Sequence, residues 1–433
     1  MENISRRKFL IGAGTLVGAA AVPTALWKIF SDEDKIAIAK TTEPLGKGGA
    51  DVKYLRQLIA ADNASGRTIM WNSDKKMTAP VVQYRLAGTE KHQEIIASQE
   101  EFKTFDNGII NINSASLENL KKGAVYEYRV GEKETFTDWC YMETAGKKEY
   151  KALIFPDSQC SKSYKTWADT VKAAWQNNLD AEFFVNMGDL VDNGQQYSQW
   201  KDWFDGAEGM MEKIPLAPVC GNHEDYSLDW KAAEPETFRK LFHAPPNGSG
   251  KYQNNFYSYD WGSVHFSVLD SNLHELGEFE PNLFKDQYEW LEKDLANTTA
   301  KWKVVMLHRH LFDYAILYAM QKTGLTDVGQ FFMPLFDKYS VDLCLFAHIH
   351  TYHRTLPFKG GEVSDKGTVY ISTGRSGDMT WYGYFPKRDG LDTEECDELK
   401  ETNYIVLTAG DSFLQAECFV QSGKAVDKVR LEK

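Results

Sequence analysis

With 433 residues, 42% of them hydrophobic, the chain is long enough for two domains with cores of their own. Its formal net charge of −13 is spread along the sequence, which reads as an acidic soluble surface and excludes nucleic acid as the main partner, because backbone binding needs basic patches. Aromatic residues make up 13%, including 12 Trp, and exclude a disordered chain.

The first stretch is an address. Ser5-Arg6-Arg7-Lys8-Phe9-Leu10 precedes a weakly apolar run from Ile11 to Val22. A paired arginine before such a run resembles a bacterial twin-arginine export signal, so residues 1–30 are assigned to export. The resemblance implies the twin-arginine translocation machinery as a partner and a periplasmic or cell-surface destination. The run is shorter than the roughly 20 residues that span a bilayer. It is either cut near Ala21 to Ala25 or kept as an anchor, and no later stretch reads as transmembrane. Residues 31–49 are polar and read as a linker.

Residues 50–147 read as a β module. Arg67 to Trp71, Val81 to Arg85, Ile109 to Asn113 and Val125 to Val130 alternate with period two, between turn-rich spacers such as Asp106-Asn107-Gly108. This spacing predicts an all-β sandwich of immunoglobulin or fibronectin type. The module carries no cluster of catalytic side chains. It reads as a scaffold or as a wall over a site elsewhere, with an adhesive or carbohydrate-binding surface as the alternative.

From residue 148 to 433 strands alternate with helical patterns, which predicts an α/β sandwich with strands in both directions. Helices are expected at Ser163 to Asn178, Tyr197 to Met211, Glu234 to Phe242, Pro281 to Leu295 and Gly329 to Tyr339. Strands are expected at Lys151 to Phe155, Ala181 to Val185, Trp302 to Leu307, Val341 to Phe346, Thr368 to Ser372 and Asn403 to Thr408, with Phe413 to Val420 closing the domain. Phe256 to Asp270 reads as two strands around a tight turn at Trp261-Gly262, and His265 as a core histidine. None of the six cysteines forms a C-x-x-C pair, so a thiolate zinc site is not expected. Cys344 reads as a buried small hydrophobe. Cys160 and Cys220 flank the motifs described next, and Cys396 with Cys418 is one disulfide pairing that export would permit.

Five apolar strands end in side chains suited to metals. They lead into Asp157-Ser158-Gln159, Gly188-Asp189-Leu190-Val191-Asp192, Gly221-Asn222-His223-Glu224, His308 and His348-Ile349-His350. Ends of strands are where α/β sheets place their chemistry. Asp, Asn and His supply oxygen and imidazole donors for a pair of divalent or trivalent cations.

In order and completeness these motifs resemble the calcineurin-like metallophosphoesterases, and among them most closely the purple acid phosphatases and their bacterial relatives. The β module shares the resemblance through Thr68 to Trp71 and Lys121 to Val130. The resemblance implies a two-metal site, with Fe, Mn and Zn as the candidate ions. Asp157 would bind the first metal and Asp189 would bridge both. Asn222, His308 and His348 would complete the second, and His350 would return to the first. His223 would meet a phosphate oxygen or protonate the leaving group. A hydroxide shared by the metals would attack phosphorus, without a covalent phosphoenzyme.

The sequence departs from the family at two positions. Asp192 stands where plant and animal purple acid phosphatases have a tyrosine ligand, so the tyrosinate colour and a fixed ferric ion are not expected. Gln159 stands two residues after Asp157, where the family has glycine or histidine. It is a candidate oxygen ligand or holds a bound water.

The function implied is an exported, acid-phosphatase-like phosphomonoesterase acting on a small phosphorylated substrate. The alternatives are a phosphodiesterase or nucleotide pyrophosphatase on the same site, and a surface protein that binds through its β module. His310 either meets substrate or lines the pocket. Arg375 either meets an anionic substrate or belongs to a plain loop. His353 is expected behind the site or at the surface.

Overall fold

The computed structural model describes residues 44–313, 324–380, 387–388, 390–395 and 400–433. The export-type segment, most of the linker and Cys396 lie outside these residues. Among the described residues no helix is long and apolar enough to cross a membrane.

The N-terminal strands are β1 (Lys53–Leu58), β2 (Arg67–Ser73), β3 (Val81–Leu86), β4 (Gln93–Ile96), β5 (Ser98–Lys103), β6 (Ile109–Leu117), β7 (Val125–Glu132), β8 (Thr135–Phe136) and β9 (Cys140–Glu143). Two sheets enclose a core that alternation selects. Tyr126, Tyr128 and Val130 of β7 point inward with Val82 and Tyr84 of β3, opposite Ile69 and Trp71 of β2.

The C-terminal part begins with β10 (Tyr150–Phe155), α1 (Lys165–Asn177), β11 (Ala181–Asn186), α2 (Tyr197–Ala207), β12 (Leu216–Pro218) and α3 (Glu236–Leu241). It continues with β13 (Tyr257–Trp261), β14 (Val264–Leu269), α4 (Leu273–Leu276), α5 (Leu283–Asn297), β15 (Trp302–Leu307), α6 (Asp327–Tyr339) and β16 (Leu343–Phe346). After these come β17 (Tyr352–Thr355), β18 (Phe358–Lys359), β19 (Glu362–Val363), β20 (Val369–Thr373), β21 (Asp392–Glu395), β22 (Asn403–Ala409), β23 (Phe413–Val420) and β24 (Ala425–Glu432).

Two sheets pack face to face. One runs β13-β14-β15-β16-β20-β17-β21, with β14, β15, β16 and β20 parallel. The other runs β24-β23-β22-β10-β11-β12-β1-β2-β6-β5. Residue parity divides the layers. Ala152 and Ile154 of β10 face the seven-stranded sheet, while Leu153 and Phe155 face the Trp167 and Trp203 rings of α1 and α2. On the far side, α5 and α6 cover β14 to β16 through Leu291, Leu295, Phe332 and Phe336.

The ten-stranded sheet passes through both halves of the chain. β1 lies parallel to β12 with Leu58 beside Leu216, so the module is fused to the C-terminal part by backbone pairing. Buried polar side chains complete the joint. Gln57 donates to the carbonyls of Tyr141 and Glu212, and the Arg56 guanidinium donates to Leu241 and Tyr54 carbonyls while stacking over Phe204.

Several element ends differ from the sequence pattern. α2 stops at Ala207 rather than Met211, because the chain turns there and Gly209 takes a left-handed φ of 91°. α5 starts at Leu283, leaving Pro281 outside its cap residue Asn282. β23 does not close the sheet: β24 pairs along its whole length as an additional edge strand.

His265 is buried, with Nδ1 2.7 Å from Asp260 and Nε2 2.9 Å from Asp294. Burial works against its charge, but the two carboxylates win and push its pKa up to about 9. A folded value above the unfolded value of about 6.5 stabilises fully below pH 6.5 and less as pH rises toward 9. His265→Gln is expected to cost about 2 kcal/mol at pH 6 and little at pH 9.5, read from denaturant midpoints at the two pH values. Equal losses at both would show that the pair carries no charge.

Candidate metal centre

The ends of β10, β11, β12, β15 and β16 converge at the edge where the two sheets meet. Each brings one loop, and close packing fixes the loop sequences. Gly188 has φ 95°, and a Cβ there would sit 2.5 Å from His308 Nδ1. A Cβ on Gly221 would sit 2.1 Å from the Asp189 amide nitrogen. Any other residue at either position pushes the loops apart. Asp189, His348 and His350 themselves adopt left-handed φ of 50°, 73° and 56°. Non-glycine residues hold such conformations only where the surroundings impose them, and such strain gathers at functional sites.

Glu224 does much of the imposing. Its buried carboxylate accepts the backbone N–H groups of Gly221 at 2.8 Å, Asp189 at 2.9 Å and Leu190 at 2.9 Å. It thereby ties the β11 loop to the β12 loop. Ser158 and Gln159 donate their amides to the Asp189 carbonyl, so the β10 loop joins the same knot. Asp157 lends its carbonyl to Ser376 and Gly377 and accepts the His348 amide on its carboxylate.

Two overlapping groups of donor atoms result: Asp189 with His308 and His348, and Asp157 with Asp189 and His350, each with its atoms within 4.8 Å of one another. Asp189 is common to both. The imidazoles are oriented by backbone carbonyls. His308 Nδ1 donates to Met187 at 3.0 Å and His350 Nδ1 to Met379 at 2.7 Å, which turns both Nε2 atoms toward the carboxylates. Such outer bonds set which nitrogen offers its lone pair. Asn222 Oδ1 lies 3.2 Å from His308 Nε2.

This donor set fits cations. His308 Nε2 faces Asp189 Oδ2 at 3.1 Å, Asn222 Oδ1 at 3.2 Å and His348 Nδ1 at 3.2 Å. Lone pairs face one another there in a fully buried space. Protons relieve this only in part. Burial opposes charge on His308, yet Asp189 and Asp157 push its pKa up to about 9. Gln159 adds a second sign. Its Nε2 donates to Asp189 Oδ2 at 3.2 Å, while its buried Oε1 has no hydrogen-bond partner. Turning the amide over points an oxygen at the Asp189 side of the site.

His223 stands beside the donor groups. Its Nδ1 lies 2.6 Å from the Asp192 carbonyl oxygen, and its Nε2 lies 3.9 Å from Asp189 Oδ2. Asp192 therefore orients His223 through its backbone. Its carboxylate stays 3.6 Å from the ring, and burial together with Asp189 and Asp378 raises its pKa.

The remaining candidates divide. His310 stacks on His348, with ring centroids 5.3 Å apart and planes 6° apart. Burial and neighbouring cations, Arg309 first, push its pKa down to about 3, so it is neutral. Arg375 turns back into its own loop, donating to the Gly377 carbonyl at 5% exposure. His353 is buried behind the site on β17, 3.9 Å from Asp392. Cys160, Cys220 and Cys344 are buried. A groove of about 740 Å³ between the module and the C-terminal part, lined by Arg67, Ser114, Arg239 and His243 among others, contains none of the candidate residues.

Neither Glu224 nor Trp230 has a role in the sequence reading. Glu224 was legible only as the acidic neighbour of His223. Trp230 lies in a polar loop and became visible only through its position 5.9 Å from the His223 ring.

Residues 150–352 match the calcineurin-like phosphoesterase family, and residues 56–144 match the N-terminal domain of purple acid phosphatases. An uncharacterized protein of Mycobacterium tuberculosis (strain H37Rv) is 24% identical over 401 residues, covering 85% of this chain and 74% of that one. The Fe(3+)-Zn(2+) purple acid phosphatase 12 of Arabidopsis thaliana is 23% identical over 301 residues, covering 67% of this chain and 62% of that one. Among solved structures, a purple acid phosphatase from yellow lupin (Lupinus luteus) seeds superposes with a TM-score of 0.73 at 20% identity, covering 88% of this chain and 74% of that one. The structure of PhoD superposes at 0.60 and 13% identity, covering 88% and 93%.

Proposed function

From a chain that belongs to the calcineurin-like metallophosphoesterases, with a purple acid phosphatase N-terminal domain, we propose an exported phosphomonoesterase acting on a small phosphorylated substrate. Some relatives are named as probable inactive purple acid phosphatases. The observation that carries the reading is therefore the complete donor set around Asp189, with His223 beside it.

Asp157, Asp189, Asn222, His308, His348 and His350 would hold the two cations, with Gln159 as a further oxygen donor on the first. Bound there, a cation pair drawn from Fe, Mn and Zn supplies positive charge for the phosphate oxygens and a lowered water pKa. The chain supplies the rest. Glu224 keeps the Asp189 loop from shifting away from the Asn222 loop. His223 commits Nδ1–H to the Asp192 carbonyl, so Nε2 is the atom that can donate a proton to the departing ester oxygen.

The test is hydrolysis of a chromogenic phosphate monoester and its diester by metal-free protein refilled with Mn, Zn or Fe. Metal-dependent turnover with the monoester preferred is expected. A faster diester would transfer the site to the phosphodiesterase reading. No turnover by protein loaded with two ions would favour a binding role for the module. Asp192 in place of tyrosine carries a separate expectation: iron-loaded protein lacks a strong visible tyrosinate band, and an absorption spectrum showing one would refute it. Export through the twin-arginine machinery is tested by fractionating cells that carry Arg6→Lys with Arg7→Lys; retention in the cytoplasm is expected.

A further inference from the structure

A finger of chain follows the His223 motif. Tyr226 bridges Ala232 as an isolated antiparallel pair, and inside it Ser227 N–H bonds to the Lys231 carbonyl and Trp230 N–H to the Ser227 carbonyl. The Ser227 hydroxyl accepts the Lys231 amide at 3.1 Å. These bonds hold Trp230 at φ 61°, a conformation costly for a bulky residue, and leave its side chain 51% exposed. Strain of this kind persists where the position of the side chain is what matters.

The exposed indole is aimed at the catalytic neighbourhood. Its ring centre is 5.9 Å from that of His223, with planes 84° apart. Tyr226 stands 5.8 Å from His223 at 89°, and the two aromatic rings are 6.0 Å from each other. Tyr226 is pinned by its hydroxyl, which donates to Glu275 at 2.9 Å, and Glu275 is paired to Arg309 next to His308. Two aromatic side chains thus stand edge-on beside the imidazole.

A group that leaves with a proton from His223 departs past these rings. Resting on the proposed phosphoesterase reading, we propose that the Tyr226 and Trp230 rings form a stacking platform for the leaving group and that Trp230 selects phosphoesters whose leaving group is a flat aromatic ring. The indole lies one ring's width from the imidazole. A ring bonded directly to the ester oxygen reaches it, as in an aryl or tyrosyl phosphate. A nucleobase is held off by its ribose.

The experiment compares kcat/KM of wild type, Trp230→Ala, Trp230→Phe and Leu228→Ala on 4-nitrophenyl phosphate, phosphotyrosine, adenosine 5′-monophosphate and glycerol 2-phosphate. Stacking on an aromatic side chain is worth about a tenfold to hundredfold preference. Trp230→Ala is expected to lose that factor on both aryl esters, mostly in KM, and to stay within about twofold on glycerol 2-phosphate. Trp230→Phe is expected to recover most of it. Leu228→Ala, on the same finger and 44% exposed, is expected to change nothing. A larger loss on the nucleotide than on the aryl esters would replace the aryl assignment with a nucleoside one. Equal losses on all four, or none, would overturn the platform. Calorimetric binding of benzylphosphonate against propylphosphonate to the metal-loaded protein gives a readout independent of turnover. If wild type hydrolyses no ester yet Trp230→Ala weakens benzylphosphonate alone, the platform stands and the hydrolytic reading falls. If neither ligand distinguishes the variants, the platform falls whatever the turnover.

Discussion

Asp189→Ala is expected to lower turnover by more than about a thousandfold and to reduce the metal content per chain from two ions to one or none. The size follows from the place of this carboxylate in both donor groups. Loss of an outer partner of a metal ligand typically costs about 10- to 100-fold. Asp189 is the shared inner group, and its removal also frees the His223 amide, which it accepts at 2.9 Å. Elemental analysis beside steady-state kinetics is the check. Asp189→Asn is the conservative control, because it keeps shape and volume and removes only the charge. Retention of two ions and near-normal turnover in both variants would mean that the bridge lies elsewhere.

His223→Ala is expected to lower kcat by about 10²- to 10⁴-fold while leaving two ions bound. Its Nδ1 faces the Asp192 carbonyl, its Nε2 lies 3.9 Å from Asp189 Oδ2, and neither of the two donor groups includes it. If Nε2 protonates the leaving oxygen, the loss depends on how much help that oxygen needs. It should be smallest for 4-nitrophenyl phosphate, whose leaving group departs unprotonated, and largest for an alkyl ester. Trp230→Ala ranks the same substrates in the opposite order. A single panel of esters therefore separates proton donation from stacking, and a flat loss across the panel in His223→Ala would remove the acid role.

Much of the centre was legible because its donors end strands, and apolar runs of four to six residues are easy to see. Asp157, Asp189, Asn222, His308, His348 and His350 were found in that way, and the structure brings them together. What surrounds them was hidden for identifiable reasons. β1 escaped notice because Arg56 and Gln57 interrupt its alternation. Both are fully buried, and carbonyls of Leu241 and Glu212, far along the chain, satisfy them. A polar residue whose partner is 155 or 185 positions away cannot be told from a surface residue by local pattern. β24 is half exposed along an edge and carries little apolar signal. Arg375 is open in sequence to two readings, an anion contact or a plain loop, because local pattern does not show where a long guanidinium ends; in the structure it donates to the Gly377 carbonyl. Trp230 had no signal at all, since its meaning lies in a backbone angle and a distance.

The position of β22 has a consequence for how the protein is made. β10, which carries Asp157 at its tip, lies between β11, next in the sequence, and β22, whose residues pair with it from Tyr150–Ala409 to Ile154–Ile405. About 250 residues separate the two partners. At about 5–20 residues per second, a ribosome takes some tens of seconds to supply the missing neighbour. Throughout that interval β10 is an open edge with unpaired amides, the kind of surface that recruits other chains. The loops of the candidate metal centre cannot be locked in place before nearly the whole polypeptide has emerged. Shortening the tail by even the last three strands would leave the nascent chain permanently in that unfinished state.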